Sequence, residues 1–151
     1  MRQFARDLQT LTVTLWVGSL WTTGLITAPA LFRVLPDRVL AGATAGRLFT
    51  LVAYVGLACA ACFIVLNLSR RQRKSWLLIG LTAAMAALTV IGEFGIQPIL
   101  AGLKAAVAPA DVMQSELRGR LVGWHGIASG VYLLNCLLGG VLVVLLRRSS
   151  D

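Results

Sequence analysis

Four long apolar stretches dominate this chain and leave few folds open to it: about Leu8 to Phe32, Leu48 to Leu68, Trp76 to Leu100 and Leu121 to Leu146. Each has at least the roughly 20 residues that a helix, rising about 1.5 Å per residue, needs to cross the hydrocarbon core of a bilayer. Hydrocarbon offers no partner to a backbone donor or acceptor, so segments of this length between basic connections read as helices and not strands. Composition agrees, because 58% of the 151 residues are hydrophobic and only 13% are charged, about half the charge of a soluble domain. The net charge of +8 does not point to nucleic acid, since so apolar a chain has no solvated face over which to spread it.

The expected architecture is all-α, an integral membrane four-helix bundle of antiparallel up-down topology, forming a single transmembrane domain over residues 1–151. Counting basic residues orients it. Arg2, Arg6, Arg70, Arg71, Arg73, Lys74, Arg147 and Arg148 would share one side. Arg33, Arg38, Arg47, Lys104, Arg118 and Arg120 would share the other, accompanied by Asp37, Asp111 and Glu116. The positive-inside rule then places both termini in the cytoplasm, with Trp76 and Trp124 at helix starts where indole rings favour the interface. A cleavable leader is the competing reading of the N-terminus, since Arg2 and Arg6 precede an apolar run that reaches Ala28-Pro29-Ala30. That run is longer than the about 7 to 15 residues of a leader's apolar region, so it is read as a retained first span. No tandem repeat is visible, and Pro29 and Pro98 are expected to end or kink helices one and three.

Helix association in lipid rests on close packing at small residues. Gly24-x-x-x-Ala28, Gly56-x-x-x-Ala60, Gly119-x-x-x-Gly123 and Gly126-x-x-x-Gly130 are expected to form seams within the bundle, the alternative being a face that docks a second protein.

Polar residues inside the spans carry the functional signal, because each is expensive in hydrocarbon unless it faces the bundle or water. Glu93 is the one acidic residue well inside a span, and Thr89 and Gln97 lie one turn to either side on its face. His125, Ser129, Tyr132 and Cys136 form a stripe on helix four, Trp16, Ser19, Thr23 and Thr27 another on helix one, while Arg47 and Tyr54 lie toward the same end of helix two. The ligand-binding candidates are therefore Arg47, Tyr54, Glu93, Gln97 and His125, near the outer mouth of the bundle. A carboxylate and an imidazole there suit a cation, proton or small-ligand site; equally they suit a structural clamp in which Glu93 pairs with Arg47 or His125. Cys59-x-x-Cys62 with Cys136 or Met85 could be imagined around Cu(I), but small residues filling a seam explain the thiols better. A single histidine excludes bis-histidine haem ligation within one chain. No nucleophile with an adjacent base, phosphate loop or dinucleotide fingerprint is present, and no cofactor is expected.

Three blocks resemble a known family. They are Trp16-Val17-Gly18-Ser19-Leu20-Trp21-Thr22-Thr23-Gly24, continuing through Pro29-Ala30-Leu31-Phe32 to Gly46-Arg47-Leu48-Phe49; Glu93 with Gln97-Pro98; and Trp124-His125-Gly126-Ile127-Ala128-Ser129 with Asn135. Together they are similar to the transmembrane-protein-205-like domain family, bacterial four-helix membrane proteins filed as a domain of unknown function. The resemblance implies an integral membrane bundle in a bacterial inner membrane and brings no established activity. The family in turn looks akin to four-helix copper-resistance and haem-pathway proteins, whose histidine and methionine ligands are mostly missing here.

Two functions fit these residues. One is transport of, or resistance to, a metal ion or cationic compound through the outer cluster, in which case Glu93→Gln and His125→Ala both abolish it. The other is a non-catalytic assembly subunit whose glycine faces dock a membrane-protein partner or a second copy of the chain. A membrane enzyme ranks behind both.

Overall fold

A computed structural model describes residues 2–68, 73–107 and 114–150. Among them there is no strand. The order is α1 (Arg2–Trp21), a π-turn (Thr22–Thr27), α2 (Ala28–Val34), α3 (Arg38–Leu68), α4 (Arg73–Val90), a second π-turn (Ile91–Ile96), α5 (Gln97–Val107) and α6 (Gln114–Ser150). Joined end to end, these pieces make four helices long and apolar enough to cross a membrane: span 1 (Gln3–Val34), span 2 (Arg38–Leu68), span 3 (Trp76–Lys104) and span 4 (Gly119–Arg148).

All four run beyond the limits expected from hydropathy. The largest correction is to span 2, which begins at Arg38 and not at Leu48. The polar, alanine- and glycine-rich stretch before Leu48 is helical, and the connection shrinks to residues 35–37. Asp37 makes so short a turn workable, because its Oδ1 accepts hydrogen bonds from the backbone N–H groups of Val39 at 2.8 Å and Leu40 at 3.3 Å. These are first-turn donors that would otherwise have no partner. Much of the basic connection from Arg70 to Ser75 lies outside the described residues, as does Asp111.

The core is a slab of interlocked side chains between the spans. Val13, Trp16, Val17 and Leu20 from span 1 meet Cys59, Ala60 and Phe63 from span 2, Leu78 and Met85 from span 3, and Cys136 and Leu142 from span 4. Within lipid such contacts gain little from water exclusion, so fit decides them. Trp16 is completely buried, and its indole lies against Gly56, where an added Cβ would collide with Nε1. Gly24 is matched in the same way to the ring of Tyr132, and Gly139 to Val17 and Met85.

The second pair of spans repeats the first, a relation that the residue identities conceal. One offset in residue number carries the buried Gln9, Val13, Trp16 and Leu20 onto the buried Leu78, Thr82, Met85 and Thr89. The same offset carries the π-turn Thr22–Thr27 onto Ile91–Ile96, and Pro29 onto Pro98. A second offset carries Phe49, Ala53, Gly56 and Cys59 onto Tyr132, Cys136, Gly139 and Leu142. Contacts repeat as well: Trp16 fits Gly56 as Met85 fits Gly139, and the equivalent rings of Phe49 and Tyr132 meet edge to face at 4.9 Å.

Neither proline ends its helix. A proline removes the N–H that would serve the carbonyl one turn back, and both helices respond by widening the turn ahead of it. Ala28 N–H reaches Thr23 O and Gln97 N–H reaches Gly92 O, each five residues back. Such local readjustment is how a membrane helix keeps its backbone satisfied around proline.

Packing at Gly56 yields a direct expectation. Gly56→Ala should lower stability in mild detergent by about 1–3 kcal/mol, read as a lower thermal unfolding midpoint. Gly18→Ala, where nothing lies within 4 Å of the new methyl, should leave the midpoint unchanged or raise it.

Candidate functional site

Near the end of the molecule that carries the 35–37 turn, spans 2 and 3 separate. Span 2 packs along α4 but makes little contact with the π-turn and α5 beyond it, and an open groove of about 650 Å³ lies between them. One wall is span 2, with Arg47, Thr50 and Leu51; the other is span 3, with Glu93, Gln97, Pro98 and Ala101. Helical spacing explains the grouping, because Arg47, Thr50 and Leu51 share a face, as do Glu93, Gln97 and Ala101. Glu93 sits inside the π-turn and Pro98 just past it, so the irregularity that the proline imposes lies in the groove wall.

The carboxylate is tethered from across the groove. Thr50 Oγ1 donates a 2.7 Å hydrogen bond to Glu93 Oε1, and both residues are half-buried. Arg47 is exposed one turn from Thr50, and Gln97 half-buried one turn from Glu93. Among the described residues, no cation lies within 4.0 Å of Glu93 and no carboxylate within 4.0 Å of Arg47. The clamp pairing Glu93 with Arg47 or His125 is therefore not formed, and Thr50 takes the partner's place. Sequence reasoning passed over Thr50, whose only signal is its position between Arg47 and Tyr54 on one helical face.

Of the five candidates, Arg47, Glu93 and Gln97 line one groove. Tyr54 stands outside it, 54% exposed, its ring set edge-on to Phe94 at 6.3 Å. His125 is exposed on span 4 and does not line the groove; its contact is through the backbone, its carbonyl accepting a hydrogen bond from Ser129 Oγ at 2.9 Å. The stripe His125, Ser129, Tyr132 and Cys136 thus splits, two residues facing out and two turning inward. Tyr132 donates its hydroxyl to Leu20 O at 2.7 Å, and Cys136 lies buried, its carbonyl accepting from Trp21 Nε1 at 3.0 Å.

The glycine seams divide likewise. Gly24 and Gly56 pack tightly, whereas around Gly119, Gly123, Gly126 and Gly130 nothing lies within 4 Å of an added Cβ. Among the described residues those four form no seam, because the face of span 4 that bears them is turned away from the bundle. Cys59 is buried in the core and Cys62 half-buried beside Thr12. Among the described residues no three His, Cys, Asp or Glu side chains converge as a metal site of those ligands would require.

Residues 11–108 match the model of a family described as Domain of unknown function (DUF4149), a stretch that contains both groove walls. No curated protein and no solved structure matches the chain.

The tether makes its own expectation. Thr50→Val, which keeps shape and removes the donor, should lower stability by about 1 kcal/mol, and Thr50→Ser should restore it in the same unfolding measurement. His125→Ala, on an exposed face, should leave stability unchanged.

Proposed function

The chain belongs to the DUF4149 family, and from that premise we propose that it is a multi-pass protein of a bacterial inner membrane, kin to the transmembrane-protein-205-like proteins, that binds a small solute bearing a cationic group and handles it for transport or resistance. Neighbouring spans run antiparallel and both termini lie in the cytoplasm, so the groove between spans 2 and 3 opens on the outer side. Register supports the alternation: along span 1, Thr12 and then Trp16 meet Cys62 and then Gly56 on span 2, so one numbering rises as the other falls.

The observation that carries the reading is the state of Glu93. A carboxylate within a span is retained at a cost. This one is aimed into an open groove, steadied on one oxygen by Thr50, with its charge answered by no cation among the described residues. A structural carboxylate would be expected in an ion pair. The tether leaves Oε2 for a ligand's donor.

Purified protein in mild detergent, titrated calorimetrically with ethidium as a cationic probe, should bind it. Glu93→Gln should weaken binding by about tenfold or more, equivalent to about 1.4 kcal/mol, while His125→Ala binds as the unmodified chain does. Equal binding by Glu93→Gln would remove Glu93 from the site.

A second reading is favoured by a different observation, the open glycine face of span 4 at Gly119, Gly123, Gly126 and Gly130. Small residues let helices approach closely in lipid, and with no neighbour among the described residues they suit a membrane-protein partner or a second copy. On that reading Gly126→Leu abolishes co-purification of a stable partner, and a monodisperse lone chain after mild extraction contradicts it.

A further inference from the structure

Resting on the reading that the groove takes its ligand through Glu93, we propose that the ligand is a zwitterion of the phosphoethanolamine kind, its ammonium on Glu93 and its oxyanion on Arg47. The two side chains line one groove from opposite walls and are not within ion-pair distance of each other. A ligand that was only a cation would satisfy Glu93 and leave Arg47 unanswered, and a simple anion would do the reverse. A zwitterion satisfies both. Arg47 stands three residues before the Thr50 that holds Glu93, so along span 2 the backbone of Arg47 and the anchor of the carboxylate are offset by about 4.5 Å. That offset suits an ammonium and a phosphate separated by two carbons and an ester oxygen. The guanidinium can grip a phosphate with two parallel N–H donors, and Gln97 stands beside Glu93 with an amide that can serve either end.

The internal repeat says why the groove is open to an outside molecule. At the equivalent place between spans 4 and 1, the ring of Tyr132 lies on Gly24 and its hydroxyl closes onto Leu20 O. Gly24 corresponds to Glu93, and Tyr132 to Phe49. Phe49 does not close the second site in return, because its ring is turned onto Tyr132. Beside the first π-turn the space is therefore filled by a side chain from span 4, and beside the second a carboxylate is presented instead. Leu51, Tyr54 and Phe94, all exposed, continue the groove as an apolar flank on which the rest of an amphiphile could lie. The same chemistry is carried by a phospholipid headgroup and by its water-soluble ester.

Calorimetry on the full chain in phosphatidylglycerol nanodiscs, which supply no ammonium, separates these cases. Glycerophosphoethanolamine should bind about tenfold or more tightly than ethanolamine or glycerol phosphate alone, and Glu93→Gln and Arg47→Gln should each remove that advantage. His125→Ala, with unchanged helical circular dichroism, should retain it. If the same titration in phosphatidylethanolamine nanodiscs is weakened by competition, the lipid headgroup is the source; if unchanged, the soluble ester is. Ethanolamine binding as tightly as glycerophosphoethanolamine in a Glu93-dependent way would overturn the zwitterion and leave a cation site standing. Glycerol phosphate binding as tightly would also overturn it. No binding of any of the three would overturn the zwitterion, and with ethidium failing too, the groove would not be a cation site.

Discussion

A proline within a membrane helix takes away a backbone donor that lipid cannot replace, and the groove end of this protein is shaped by how two helices absorb that loss. At Pro29 and at Pro98 the preceding turn widens so that carbonyls find donors five residues on, and the helix continues. A wide turn is uncommon and recurs at functional sites because it changes where nearby side chains point. Here it produces two related results. Beside the first π-turn, Gly24 leaves space that Tyr132 fills. Beside the second, Glu93 projects across an open groove to Thr50. The same backbone device is thus used once for packing and once to set a charge in a groove wall.

What holds the helices together is geometric. The fully buried Trp16 and Met85 occupy equivalent places in the two halves, each against a glycine of the following span. Neither contact depends on polarity, which is why the halves can repeat a fold without repeating residues. Lipid rewards close approach and penalises unsatisfied polar groups, so a bulky side chain facing a glycine is the feature that recurs.

Much of this was legible in the sequence, for reasons that particular residues make plain. The four helices announced themselves because apolar runs of that length have one stable form in hydrocarbon. Arg47, Glu93 and Gln97 stood out because ionisable and amide groups next to or within an apolar run are conspicuous, and helical spacing places Glu93 and Gln97 on one face. His125 misled, since its distance from a helix end gives its depth but not its facing, and span 4 turns it outward. Gly119, Gly123, Gly126 and Gly130 misled for the same reason. Thr50 was missed because a helical hydroxyl often bonds its own backbone one turn back, as Thr12 does with Leu8 O at 2.7 Å, and nothing in the sequence marks the one that does otherwise. The start of span 2 was missed because Arg38 to Arg47 lacks the hydropathy of a span, although Asp37 is a recognisable cap.

On the proposed orientation, the groove beside Glu93 opens on the outer face of the membrane, where a solute can enter it. Ala101 lines the groove, is exposed and bears no charge, so a cysteine placed there reports access without disturbing the tether. In a chain whose Cys59, Cys62 and Cys136 are replaced by alanine, Ala101→Cys should react with a membrane-impermeant maleimide added to intact spheroplasts. Labelling only after the membrane is permeabilised would contradict both the orientation and the outer site.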